Sequence, residues 1–321
     1  MCALSSSFLE VVPEYVNVEE IDDVNLKHTM IEYGKFFKRS FEKGRYIADL
    51  FLSSRPEYKG IFTPGSKISL ETLDGEMELT LIKLLGSGGS KLFYELERNL
   101  ALGRMKAHQV YEELRGHRFL EGIGILVNDI RPAVIFWSEK EVTYARPVFI
   151  GPTFESYMEK NAYVADLGRC GNIVEEFGEI QLTLSQLELF PSDVDLHSLE
   201  AWEPLISPLV KDLYKMYENG FVGPPDSRNV IFIGPGPLHS GKGTHFEVRA
   251  FPFDFSKKLS RTSLRKSLQP QSHSDLSKMA TAYIEDVFWM IRTFPKYGEK
   301  VTSADEEKLI EKLIEKYFHA K

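Results

Sequence analysis

The sequence predicts an α+β fold in which an antiparallel sheet occupies the first half and helices dominate the second. Two changes of rhythm carry this reading. At Ile68 apolar residues stop recurring every three or four positions and begin to alternate, with an Asp74-Gly75 turn between the first two runs. From Leu199 a helical period returns and is interrupted by one short hairpin. The strand-like runs between these points follow each other with little room for crossover helices, so the sheet is antiparallel.

Residues 24–54 place Met30, Tyr33, Phe37, Phe41, Ile47 and Phe51 on a roughly helical stripe among charges. RPEYKGIFTPGSK then breaks the chain with two prolines and two glycines. ISLETLDGEMELTLIKLLG, LFYELE and RNLALG read as strands. A helix is predicted over 104–122, with Ala107, Val110, Tyr111 and Leu114 on one side. Strand-like runs follow at GILV, AVIFWSE and VTYARPVFIG, and TFESYMEKNAYV has a helical pattern. Residues 165–200 are acidic and fit neither period. LEAWEPLISPLVKDLYKMYENG is a long helix ending at an Asn-Gly signal. The hairpin NVIFI and HFEVRAF, a basic Ser-rich stretch, an apolar helix over 275–294 and a charged helix over 303–319 complete the order.

With 321 residues, 43% hydrophobic and 27% charged, the chain has an ordinary globular composition and length for one large core or two. A net charge of -8 supplies no global basic field for nucleic acid. Cys2 and Cys170 suit a reducing compartment. The first residues lack the basic start and apolar run of a signal peptide, and no stretch approaches a membrane span. A cytosolic protein is expected, or one delivered there by a route that the sequence does not show.

The order of elements resembles the protein kinase fold over roughly residues 68–295. The resemblance implies a helical N-terminal extension (1–65), a kinase-like small lobe with an antiparallel sheet (66–151) and a truncated helical large lobe (152–321). In LLGSGGSKLF, Gly86, Gly88 and Lys91 stand at the three glycine positions of the family's phosphate-covering loop, so two match and the third is lysine. Read from the residues alone, these glycines serve a tight hairpin. Backbone around Ile150 to Thr153 would face an adenine edge, and one of Glu112, Glu113 and Glu121 would be the helix glutamate.

The same resemblance implies that the chemistry is lost. The strand lysine falls at Gly103, after Leu100, Ala101 and Leu102. In YENGFVGPPDSRNVIFI, Asn229 matches the metal-binding asparagine, but Val222, Gly223 and Pro224 replace His, Arg and Asp. Pro252, Phe253 and Asp254 stand at Asp-Phe-Gly, while Asp275 matches an architectural aspartate. Phosphoryl transfer is almost wholly positioning and electrostatics, so losing anchor, base and metal ligand together implies a pseudokinase. The expected function is a binding or regulatory module acting through protein contacts, with no cofactor. In the alternative, an atypical phosphotransferase, Gly86, Gly88 and Lys91 hold ATP, Asn229 and Asp254 hold Mg2+, and Asp226 is the base.

Gly236 to Lys242 satisfies the spacing of an ATPase phosphate loop. That loop must open into a helix, whereas Phe246, Val248 and Ala250 alternate as a strand, so the motif reads as a hairpin turn. Lys257, Lys258, Arg261, Arg265 and Lys266 form a compact basic cluster beside several serines. In an acidic chain this points to an acidic or phosphorylated protein partner, a phosphate group or an anionic membrane, or else to a solvated loop.

Overall fold

A computed structural model describes residues 21, 23–47, 62–87, 92–125, 129–153, 164–166, 199–219, 230–233, 247–250, 273–291 and 302–319. The chain divides into two compact units, one of residues 1–122 with 128–156 and the other of 123–127 with 157–321.

The first unit is a barrel. It contains α1 (Val24–Phe41), β1 (Arg45–Tyr46), β2 (Lys67–Thr72), β3 (Gly75–Ser87), β4 (Leu92–Leu96), β5 (Leu100–Arg104), α2 (Ala107–Gly122), β6 (Arg131–Glu139) and β7 (Val142–Pro152). Six antiparallel strands run in the order β7, β5, β4, β3, β2, β6, and β6 pairs again with β7 to close the ring. The short β1 lies parallel to β7 beside Tyr144 and Ala145. Closure gives each of the six strands a partner on both sides, although beyond Leu81 the described part of β3 pairs with β4 alone.

This architecture overturns the kinase-like, two-lobed expectation, including its pseudokinase form. The expected open sheet lobe closes on itself through Ser69 to Thr72 on β2 against Ala133 to Phe136 on β6. The supposed hinge at Ile150 to Thr153 is barrel wall. Ile150 lies between Arg131 and Leu102, Gly151 and Pro152 pair with β5, and the Thr153 N–H donates to the Asn99 carbonyl at 3.0 Å. Its backbone is consumed by closure and is not presented to an adenine edge. Nor do the helix glutamates meet a strand lysine: Glu121 accepts from Arg118 at 2.5 Å, and Glu113 is buried 3.7 Å from His117 Nε2.

Alternation sorts the wall residues into two cores. Ile68, Leu70, Leu79, Leu81, Leu96, Leu102, Ala133, Ile135, Trp137, Val148 and Ile150 fill the interior. The opposite parity of β6 and β7 supplies Val134, Ala145 and Phe149 to a second core under α1 and α2. Both faces of these strands are therefore covered, which accounts for the unbroken apolar run Ala133 to Trp137. The β6–β7 hairpin turns through Lys140 and Glu141 at φ 46° and 68° without a glycine.

The segment expected as a helical extension contributes α1 to that second core. Asp23 caps it by accepting from the Leu26 N–H at 2.7 Å. Leu26, Met30, Tyr33, Phe37 and Phe41 form its buried stripe. Phe37 packs 4.7 Å from Tyr111 of α2, and Phe41 packs 4.5 Å from Tyr46 of β1. On the outward face of β2, buried Glu71 accepts from Lys43 at 2.9 Å and joins the helix end to the sheet.

Two fully buried arginines mark the place where β5 parts from β7. Gly103 opposite Phe149 is their last pair, and beyond it β1 takes the place beside β7. Arg146, paired with inward-facing Ile135, donates to the Met105 carbonyl at 2.5 Å just after the chain leaves the sheet. The Arg104 guanidinium sits 4.4 Å over the Phe62 ring, a cation–π contact. These side chains tie the seam to neighbouring backbone and rings.

Glu112 on α2 carries a pH signature. Burial raises its carboxyl pKa, Arg115 lowers it, Glu113 raises it, and the balance is upward. The folded state therefore holds this proton to higher pH than the unfolded chain, and stability falls as pH rises through the interval between the two values. Glu112→Gln removes the penalty. The variant should melt higher than wild type at pH 7 and at the same temperature below about pH 4, where the glutamate is protonated in both states. Paired melts at the two pH values check the sign.

The second unit contains β8 (Val164–Asp166), α3 (Leu199–Glu218), β9 (Val230–Ile233), β10 (Glu247–Ala250), α4 (His273–Ile291) and α5 (Ser303–Ile314), which ends in a π-helical turn (Glu315–His319). β9 pairs antiparallel with both β10 and β8, so the expected hairpin is present and gains a third strand. Ile206, Leu209, Val210, Leu213, Met216 and Tyr217 of α3 belong to its core, together with buried residues of α4 and α5. Tyr214 packs edge-on to Phe318 at 5.3 Å.

Thr302 and Asp305 form a reciprocal capping box on α5, the Asp305 N–H donating to Thr302 Oγ1 at 3.2 Å and the Thr302 N–H to Asp305 Oδ2 at 3.4 Å. Thr302→Ala should cost about 1 kcal/mol in urea unfolding followed by helical circular dichroism.

Candidate functional site

Strand β3 departs from regular pairing twice. Opposite β4 the register passes from Leu81↔Leu96 to Lys83↔Glu95, then from Leu84↔Tyr94 to Gly86↔Phe93. In each interval β3 advances two residues while β4 advances one. The extra residues are Ile82 and Leu85. A bulge of this kind leaves one residue out of the ladder, bends its strand and re-aims the neighbouring side chains.

The result is a ridge, residues 82–85 of β3, whose large apolar side chains reach solvent although the register puts Leu84 on the face of Tyr94 and Lys83 on the opposite face with Glu95. Ile82 is 43% exposed, Leu84 51% and Leu85 37%, although Leu79 and Leu81 earlier on the same strand are buried. Lys83 between them is drawn to Glu95 at 3.1 Å, so the charge within the ridge is paired along the wall. The barrel interior is already occupied by its own side chains. Three exposed residues with branched apolar side chains within four positions therefore stand out against the scattered single ones that any surface carries. Such a ridge offers contact area to an apolar surface and no group for bond making.

The sequence-predicted site residues are placed unevenly. Gly86 is a paired strand residue opposite Phe93, at the end of β3. Gly88, Lys91, Asp226, Asn229, Asp254 and the cluster Lys257, Lys258, Arg261, Arg265 and Lys266 lie outside the described residues. The ATP and Mg2+ assignments rested on a kinase frame that the barrel replaces. Gly103, at the expected lysine position, lies on the wall between two phenylalanines, with Phe93 opposite it on β4 and Phe149 opposite it on β7.

Sequence reasoning missed the ridge because LTLIKLLG was read as a strand running into a glycine loop. Its signal is the lapse of alternation after Leu81: Ile82, Leu84 and Leu85 are too closely spaced for one face of a regular strand. A lapse of that kind marks either a bulge or a wall buried on both sides, and exposure separates the two.

Among the described residues, no helix is long and apolar enough to cross a membrane. Compared with protein-family models and with curated proteins, the sequence matches none.

Proposed function

We propose that this chain is a binding or regulatory module that acts through protein contacts, with the β3 ridge as the face that meets its partner. The doubly bulged strand carries the reading, because it places Ile82, Leu84 and Leu85 in solvent on a barrel whose interior is filled. Each of these side chains is already about half buried or more, so covering the rest in an interface contributes roughly 0.6–1.5 kcal/mol, and the three together can support a modest interface. Closure of the barrel excludes added-strand pairing along β3 as far as Leu81, beyond which, among the described residues, β3 pairs with β4 alone and a partner can add backbone pairing to side-chain contact. The partner class suggested by the basic cluster at Lys257 to Lys266, an acidic or phosphorylated protein, would be met by a separate contact.

A photo-crosslinking amino acid at position 84 tests this against the same group at exposed position 78. Position 84 should yield a discrete adduct in cells and position 78 none. Ile82→Asp should abolish the adduct and cost about 1 kcal/mol in stability, the span between a favoured and a disfavoured strand residue, with the fold retained. An adduct that survives Ile82→Asp, or a variant that loses its fold, would assign the ridge to structure.

A further inference from the structure

The second unit holds a cleft of different chemistry between α4 and α5. It is about 410 Å³ in volume and is lined by Ala282, Glu285, Phe288, Trp289, Glu306 and Ile310, with Ser303 and Glu307 at the start of α5. The size falls within the range of small-ligand and side-chain pockets. Helical spacing assembles it: Ala282, Glu285 and Trp289 recur at three and four residues on α4, as Ser303, Glu306, Glu307 and Ile310 do on α5.

The lining has three chemical parts. Phe288 at 0% and Ile310 at 3% exposure make an apolar floor. Trp289, 58% exposed, is the largest aromatic group that the described surface shows to solvent. Glu285 and Glu307 are exposed carboxylates, Glu306 is buried at 1%, and among the described residues no lysine or arginine lines the cleft.

We infer that this cleft receives an arginine side chain from a basic protein segment. A guanidinium stacks on an indole face through cation–π attraction, and its planar fork donates to carboxylates in pairs. Its three-carbon stem suits an apolar floor while the head stays at a wet, acidic rim. An acidic or phosphorylated segment would meet two exposed like charges and gain nothing from the indole. The site shares no residue with the β3 ridge and stands without it.

The test uses the full chain labelled with 5-fluorotryptophan and an end-blocked tetra-arginine peptide as probe. Trp289 is one of three tryptophans, and Trp289→Phe identifies its fluorine resonance. The peptide should move that resonance saturably. The double variant Glu285→Gln/Glu307→Gln should weaken the apparent affinity at least about threefold, the loss expected for two exposed charge pairs. Glu311→Gln/Glu315→Gln, which removes two exposed charges outside the cleft, should leave it unchanged. Fluorine dispersion reports that each variant is folded. The inference is overturned if the Trp289 resonance does not move at millimolar peptide, if it titrates alike in wild type and the cleft variant, or if the control variant loses as much affinity.

Discussion

Gly103→Ala is expected to lower the melting temperature of the barrel unit by several degrees. A Cβ built on Gly103 would lie 2.0 Å from Phe149 Cζ and within 2.5 Å of two further atoms of that ring. Phe149 cannot simply swing away, because it is 2% exposed and packed in the core under α1 and α2. The rings of Phe93 and Phe149, from the strands on either side, meet edge-to-face at 6.0 Å, so the glycine supplies the space into which they close. Overpacking of this kind costs about 1–3 kcal/mol. In a unit of this size that is roughly 2–12 °C. The contact predicts coupling as well as loss. Adding Phe149→Leu to Gly103→Ala should cost less than the two single losses together, by at least about 0.5 kcal/mol. Additive losses in urea unfolding would show that Phe149 does not occupy this space in solution.

Phe37→Ala should cost about 3–5 kcal/mol, the range for a fully buried aromatic residue. Phe37 is 0% exposed and packs against Phe36 at 5.3 Å, Phe41 at 5.9 Å and Tyr111 at 4.7 Å. The informative readout is which transition moves. Trp137 lies inside the barrel, on the far side of the wall from α1. With the other two tryptophans replaced by phenylalanine, its fluorescence follows barrel unfolding alone. Since α1 covers β6 and β7, the Trp137 transition should shift to lower urea together with the helical signal. A helix signal that weakens while the Trp137 midpoint stays fixed would make α1 a dispensable extension. Ser40, whose hydroxyl donates to the Phe36 carbonyl at 2.9 Å on the same buried face, is satisfied within the helix and adds no competing polar demand.

The ridge and the cleft make complementary demands on a partner. The β3 ridge offers branched apolar groups whose recognition would be little affected by salt. The cleft in the second unit offers an indole and exposed carboxylates, and a cation held there would weaken as salt screens it. Salt titration of the position 84 adduct, formed in lysate, and of the Trp289 resonance therefore separates the two surfaces by their physics.

Local patterns in the chain determined the elements. The stripe from Met30 to Phe41, the alternation from Ile68 to Leu81, the run Ala133 to Trp137 and the apolar face of α2 all appear where the residues place them, but the helical stripe expected to run on through Ile47 and Phe51 stops at Phe41, Arg45–Tyr46 form β1, and Phe51 lies outside the described residues. Each depends on neighbours within a few positions, where side-chain period and turn chemistry suffice. Only the tertiary structure decided that the sheet closes. Closure depends on Ser69 meeting Phe136 and on Gly103 meeting Phe149, pairs far apart in sequence, and alternation is equally compatible with an open or a closed sheet. The resemblance to a kinase lobe rested on the order of elements, which does not specify which edges join. The candidate site divides in the same way. The apolar letters of Ile82, Leu84 and Leu85 are plain in the sequence, but their exposure comes from two register shifts against β4. Those shifts exist because a neighbouring strand, itself held by β5, fixes where each β3 residue must pair.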